Sequence, residues 1–208
     1  MDLRAWFCCI LIPILLISPA IGSEADELSL QGNLLYDRGY NEEAIIILNQ
    51  ALSLDPEHLE ALNGMGKALK NNGRYEEALE HYDRAIAADT EYKKAWNNKG
   101  NVYTLMGDFN EALMMFDRAL EIDPEYGTCH SNKAWCLNLA RRYPEALLSA
   151  DAATTYSPKY AKGWLNRGDA LFGLLQYSEA LHSYETALIL DPLLPEAKEG
   201  RDRALVKL

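Results

Sequence analysis

Three asparagines at a fixed interval, Asn98, Asn132 and Asn166, are the residues whose type and spacing point most directly to chemistry. The first and last sit in matching pentapeptides, WNNKG at 96–100 and WLNRG at 164–168. A side-chain amide offers both donors and an acceptor, so a row of them can hold an extended peptide by its backbone without reading its sequence. The same row can instead bond to neighbouring helices and fix how they stack, and residue identity alone leaves both readings open. Covalent and metal chemistry find no comparable arrangement. His58, His81, His130 and His182 are scattered, and there is no HExxH, glycine-rich phosphate loop or GxSxG. Cys129 and Cys136 are seven residues apart in one helical pattern. Two turns separate them by roughly 10 Å, too far for a disulfide. They stand where Ala95 and Val102 stand one interval earlier, which predicts buried, small apolar roles. The expectation is therefore a non-enzymatic protein with no catalytic residue, no cofactor and no metal.

The elements that must carry the asparagine row follow from the interval itself. EEAI at 42–45, EEAL at 76–79, NEAL at 110–113, PEAL at 144–147 and SEAL at 178–181 recur every 34 residues without insertion or deletion. Within each interval two helical patterns are separated by a break near Gly39, Gly73 or Gly107. A second break falls at Asp55-Pro56, Asp123-Pro124, Ser157-Pro158 or Asp191-Pro192. Glycine suits a helix C-terminus and proline cannot continue a helix, so each interval is a helix pair. Alanines at 44, 78, 112, 146 and 180, and at 51, 85, 119, 153 and 187, recur without exception. Gly32, Gly66, Gly100 and Gly168 recur with one substitution, Ala134. Small residues let helices approach closely, and each unit completes its core only against a neighbour.

These residues resemble the tetratricopeptide repeat (TPR) family. The third interval shows the signature most fully, with Trp96, Gly100, Tyr103, Gly107, Ala112, Phe116, Ala119 and Pro124. The resemblance implies an all-α fold, a right-handed solenoid of five helix pairs at 25–58, 59–92, 93–126, 127–160 and 161–194, with a concave groove lined by the first helices. Residues 195–208, PEAKEGRDRALVKL, read as the polar capping helix that such arrays require. The asparagine row is similar to the ladder in the TPR arm of O-linked sugar transferases, which clamps peptides by their backbone. Here its first two rungs are Leu30 and Gly64. The carboxylate clamp of TPR co-chaperones is not matched: Lys162 and Asn166 keep its last spacing without the arginine, and Asn97 stands where its first lysine is needed.

Helical geometry separates core from groove. In the third interval Trp96, Gly100 and Tyr103 form one stripe, and Lys94, Asn98, Asn101 and Leu105 another about 160° away. The first stripe is core, with Trp164 equivalent to Trp96. The second predicts the binding face. Three residues beyond the asparagine row come Asn33, Lys67, Asn101, Trp135 and Asp169, four polar residues and one large apolar one. Trp135 is therefore expected to be exposed as a binding anchor, with Leu105, Leu139, Leu165 and Phe172 forming an apolar patch around it. An inward turn of Trp135, repairing a fourth repeat weakened by His130 and Ala150, is the alternative. Lys67, Lys70, Lys94 and Lys162 set against Asp26, Asp37, Glu60 and Asp169 predict a polar peptide partner. Lys99, Lys133 and Arg167, with Asp117, Asp151 and Glu185 in the second helices of the same repeats, are expected to form ion pairs between packed helices.

The totals bound the function class. In 208 residues the net charge is −11, which argues against a nucleic-acid surface. Ala5–Ile21 carries no charge and follows Arg4, the pattern of an export signal, with Ala20-Ile21-Gly22 as a small-x-small cleavage site that would leave Ser23 first. An uncleaved membrane anchor is the alternative, and both place the remainder outside the cytoplasm, secreted or at the cell envelope. The reading is an extracytoplasmic scaffold that binds a protein or peptide in its groove, with self-association of the array as the rival.

Overall fold

The computed structural model describes residues 22–208, and the predicted export segment at 5–21 lies outside them. The described residues form eleven helices: α1 (Glu24–Asp37), α2 (Asn41–Leu54), α3 (Leu59–Asn71), α4 (Tyr75–Ala88), α5 (Lys93–Met106), α6 (Phe109–Ile122), α7 (Gly127–Leu139), α8 (Tyr143–Tyr156), α9 (Ala161–Gly173), α10 (Tyr177–Leu190) and α11 (Pro195–Leu205). They make five pairs, each a first and a second helix, stacked into a solenoid and closed by α11. None of these helices is long and apolar enough to cross a membrane.

Two kinds of turn set the pairing. Between first and second helix the chain passes through a left-handed residue, with φ of 86° at Gly39, 76° at Gly73 and 87° at Gly107. The fourth and fifth pairs put Arg141 (φ 58°) and Leu175 (φ 64°) at that place. A side chain there costs about 1–2 kcal/mol that glycine does not incur. After α2, α4, α6 and α10 an aspartate ends the helix in extended geometry, and Ser157 takes its place after α8. The aspartate carboxylate then accepts the N–H two residues on, as Asp55 does from Glu57 (3.1 Å), Asp123 from Glu125 (3.0 Å) and Asp191 from Leu193 (3.0 Å). The intervening proline has no N–H to lose, so the Asp-Pro step makes a turn that cannot revert to helix.

The alanine rows are fully buried and carry the helix contacts. The glycine row lies under large side chains: a Cβ on Gly66 would fall 2.5 Å from the Tyr82 ring, on Gly100 2.7 Å from Phe116 and on Gly168 2.6 Å from Tyr184. The one exception follows from its partner. Where the fourth pair has Ala134, the facing position holds Ala150, so the space a ring would take is shared between two methyl groups. Trp96 and Trp164 pack on the core as expected, and each indole N–H donates to a carbonyl six residues earlier, Thr90 and Pro158, both at 2.9 Å. His130 takes the same place in the fourth pair and reaches Pro124 O at 2.9 Å.

The ion-pair rows exist, but one repeat out of the expected register. Lys99 pairs with Asp83, Lys133 with Asp117 and Arg167 with Asp151, each joining a first helix to the second helix of the preceding pair. The row therefore staples consecutive pairs, not the two helices of one pair, and its first acid is Asp83, which the matching of rows within a repeat does not include. One interval past Arg167 stands Arg201, which pairs with its own neighbour Asp202 and not with Glu185. Cys129 and Cys136 are buried free thiols whose Sγ atoms lie 3.6 and 3.8 Å from Phe116 O and Phe109 O. Burial pushes both thiols up, away from the reactive thiolate.

Candidate binding face

The asparagine row lies on the first helices, and its amides are committed to the preceding pair. Asn98 Nδ2 donates to Asn63 Oδ1 (2.8 Å), and Asn132 Nδ2 to Asn97 Oδ1 (2.9 Å). Asn166, only 5% exposed, donates to both Ser131 O (2.8 Å) and Ser131 Oγ (3.0 Å). Of the two uses open to this row, bonding between helices is the one these contacts display. The acceptors form a row that sequence reasoning missed: Ser29, Asn63, Asn97 and Ser131, each 35 residues before its donor position. A polar residue immediately before the rung positions 30, 64, 98 and 132, with Leu165 breaking the row before Asn166, was the available signal.

The ends of the row show the same logic. Gly64 stands where a donor would face Ser29, and the Ser29 hydroxyl is left buried without a partner. Asn33 fills that junction from the other side. Its amide donates to Ser29 O (2.9 Å) and reaches Glu60 O (3.4 Å), and its Oδ1 lies 2.5 Å from where a Gly64 Cβ would be. At the far end the next rung is Gly200, whose Cβ position is occupied by the Tyr184 ring, 2.4 Å away. No donor arrives there, and the acceptor place is held by Leu165. That residue is 8% exposed and packs with Tyr184, Ala187 and Ala197, so it belongs to the core and not to the expected apolar patch.

Phe172 is likewise turned toward that core, edge-on to Tyr177 at 5.3 Å and under the Arg203 guanidinium at 5.1 Å. The patch that remains open consists of Leu105, 44% exposed, and Leu139, 50% exposed. Trp135 between them is partly buried and belongs to none of the core clusters. It is less exposed than its sequence setting predicts.

Two further amide oxygens on these first helices go unused. Asn101 Oδ1 and Asn138 Oδ1 are buried acceptors that receive no hydrogen bond among the described residues. Asn138 uses its amide nitrogen on Asn166 O at 2.8 Å, which fixes its oxygen on the opposite side. An unmet buried acceptor costs about 1–3 kcal/mol. Lys94 is held by Glu60 at 2.7 Å, and Lys162 is exposed. Asp169 is held by Tyr184 OH at 2.8 Å, and burial raises its carboxyl above the usual range.

Tetratricopeptide repeat family models match residues 29–93, 94–126 and 161–194. The chain is a tetratricopeptide repeat protein. Residues 127–160, which hold His130, Ala134, Arg141 and Ala150, lie between the matched spans of this TPR chain. Among solved structures, a thermophilic TPR protein from Thermus thermophilus is similar at 20% identity, covering 88% of this chain and 99% of that one with a TM-score of 0.77. PilF of Pseudomonas aeruginosa is similar at 21% identity, covering 88% of each chain, with a TM-score of 0.70. YrrB, described as a TPR protein with an unusual peptide-binding site, is similar at 23% identity over 86% of this chain and 92% of that one, TM-score 0.59. A comparison with curated protein sequences returns no match. TPR proteins are scaffolds for protein binding, and at these identities the solved structures speak for the fold.

Proposed function

We propose that this TPR protein binds an extended peptide or protein segment across the first helices of its third to fifth pairs, and acts as an adaptor or assembly factor at the cell envelope. The observation that carries the binding face is apolar: Trp135, outside every core cluster, lies on the first helix of the fourth pair with Leu139, and Leu139 and Leu105 of the preceding first helix are both open. Apolar side chains give a ligand area to cover. The peptide-binding site named for YrrB supports the same kind of ligand here. The envelope assignment rests on the uncharged run at 5–21 behind Arg4.

Affinity capture from an envelope extract tests this, using the full-length chain beside Trp135→Ala and beside the triple change of Asn98, Asn132 and Asn166 to Ala. Capture is expected to fall with Trp135→Ala while the melting temperature stays close to wild type. The triple variant is expected to melt lower, because its amides hold the first helices together. A Trp135→Ala protein that melts far lower and still captures its partner sinks the anchor role.

Self-association is the second reading, favoured by the apolar tail of the array. Leu193, Leu205, Val206 and Leu208 are all exposed at the capping end. Mass that rises with concentration in sedimentation, and is lost on changing Val206 and Leu208 to Ser, would move the function to stacking between chains.

A further inference from the structure

Asparagine followed by glycine occurs twice in the chain, at Asn63-Gly64 and at Asn72-Gly73. The step is chemically labile, because glycine has no side chain to keep its backbone nitrogen away from the preceding side-chain amide. The fold puts the two copies in opposite settings. Asn63 and Gly64 lie inside α3, where Asn63 is 5% exposed and its Oδ1 accepts from Asn98 at 2.8 Å. Asn72 is the exposed C-cap of the same helix, at φ −85° and ψ 3°, and Gly73 follows it in the left-handed conformation.

Two backbone bonds close the turn at the exposed copy, Gly73 N–H to Lys70 O and Arg74 N–H to Leu69 O, both at 3.0 Å. Beyond its chain neighbours, no atom lies within 4 Å of where a Cβ on Gly73 would stand. For the Gly73 nitrogen to reach Asn72 Cγ the chain must rotate about ψ of Asn72. At a helix end that rotation opens terminal bonds alone, whereas at Asn63 it would break α3 in its middle. The Asn72 side chain also has a structural task. Its Nδ2 donates to Glu42 Oε1 at 2.8 Å, which ties the end of α3 to the first turn of α2 in the preceding pair. Arg74 beside it is committed to Glu77 through Nε (2.6 Å) and Nη2 (2.5 Å).

We propose that Asn72 is a site of spontaneous deamidation, and that its product loosens the junction between the first and second pairs. The Gly73 backbone nitrogen attacks Asn72 Cγ, so that an N–Cγ bond forms and the Cγ–Nδ2 bond breaks. The side-chain nitrogen leaves as ammonia with the proton that the Gly73 nitrogen gives up. Water then opens the cyclic imide at either carbonyl, leaving aspartate or isoaspartate. Either product puts a carboxylate where Glu42 had accepted from an amide, and a hydrogen bond across the junction becomes a meeting of like charges. Isoaspartate also routes the main chain through the former side chain and lengthens the turn by one carbon.

The test is mass-spectrometric peptide mapping of the full-length protein after incubation in mildly alkaline buffer, reading amide-to-acid conversion at each asparagine. Asn72 is expected to convert at least about tenfold faster than Asn63, because a step inside a helix reacts only while that helix is open. In denaturant the two steps should convert at similar rates, which assigns the difference to the fold. Asn72→Gln should remove the fast conversion and melt close to wild type. Asn72→Asp, which mimics one product, should melt lower than Asn72→Gln and lose amide protection in the first turn of α2. Equal conversion at the two steps of the folded protein, or faster conversion at Asn63, overturns the site. The same tenfold difference in denaturant overturns the argument from the fold. An Asn72→Asp protein with wild-type melting and wild-type protection in α2 overturns the loosening of the junction.

Discussion

The third and fourth helix pairs share a backbone plan and differ at five of the eight signature positions, keeping two alanines and the proline. The third has Trp96, Gly100, Gly107 and Phe116, and the fourth has His130, Ala134, Arg141 and Ala150 at the same places. The substitutions work because they come in compensating sets. His130 keeps the carbonyl contact of Trp96 by a ring nitrogen, and its ring stacks on Tyr156 at 5.6 Å. Ala134 fills part of the volume that Ala150 gives up. Arg141 alone is uncompensated, holding a left-handed backbone with a side chain where the third pair has glycine. The fold is therefore specified by pairs of positions, and a single residue can drift if its partner drifts with it.

The largest expected effect tests the ring-on-glycine contact directly. Phe116→Ala should cost about 3–5 kcal/mol in chemical denaturation. Ala150→Phe in the fourth pair should destabilise by about 1–3 kcal/mol through overpacking against Ala134, and adding Ala134→Gly should restore most of it. If the double change is no better than the single one, the two positions are not a compensating pair.

Next come the staples between first helices. Asn166→Ala leaves Ser131 without its donor in a buried site and should cost about 1–3 kcal/mol. Asn98→Ala, in a partly exposed site, should cost less. The reverse order would contradict a row whose value scales with burial.

Removing the strained turn should help. Arg141→Gly and Leu175→Gly are each expected to raise stability by about 1 kcal/mol, seen as a higher melting temperature, whereas Gly107→Arg should lower it by a similar amount. Smaller still, Lys133→Met should change stability by less than about 1 kcal/mol, because Asp117 is largely exposed.

The smallest effect is local and depends on pH. Hydrogen bonds from the Ser23 backbone and hydroxyl, followed by one from His58, hold the Asp26 carboxyl below the usual carboxylate range. A depressed carboxylate contributes stability above its unfolded pKa and loses it as pH falls through the folded value. Protection of the amides in the first turn of α1, taken relative to their intrinsic exchange rates, should thus fall below about pH 4. Unchanged protection there would remove the capping role of Asp26.

Much of the fold is legible in the sequence because a repeat states its constraint five times. The invariant alanines and the Asp-Pro breaks specify the helix pairs and their turns directly. The binding face is less legible. Leu165 lies on the stripe that helical geometry assigns to the groove, yet its burial is decided by Gly200 and Tyr184 in elements that follow it. Asn98, Asn132 and Asn166 fall on the first helices as their spacing predicts, but their partners are 35 residues away. The choice between ligand and helix cannot be read from an amide alone. The ion-pair rows are visible in sequence and their register is not, for the same reason: periodicity shows that two rows match, and only packing shows which rungs meet.

The central claim is that the concave side between the third and fifth pairs receives a partner. The most direct measurement is photo-cross-linking in the source cells, with benzoylphenylalanine replacing Leu139 on α7 or, as control, Leu148 on α8, which is 72% exposed. The account predicts a cross-linked partner from position 139 and none from 148. Cross-links only from 148, or only between two copies of this chain, would contradict it.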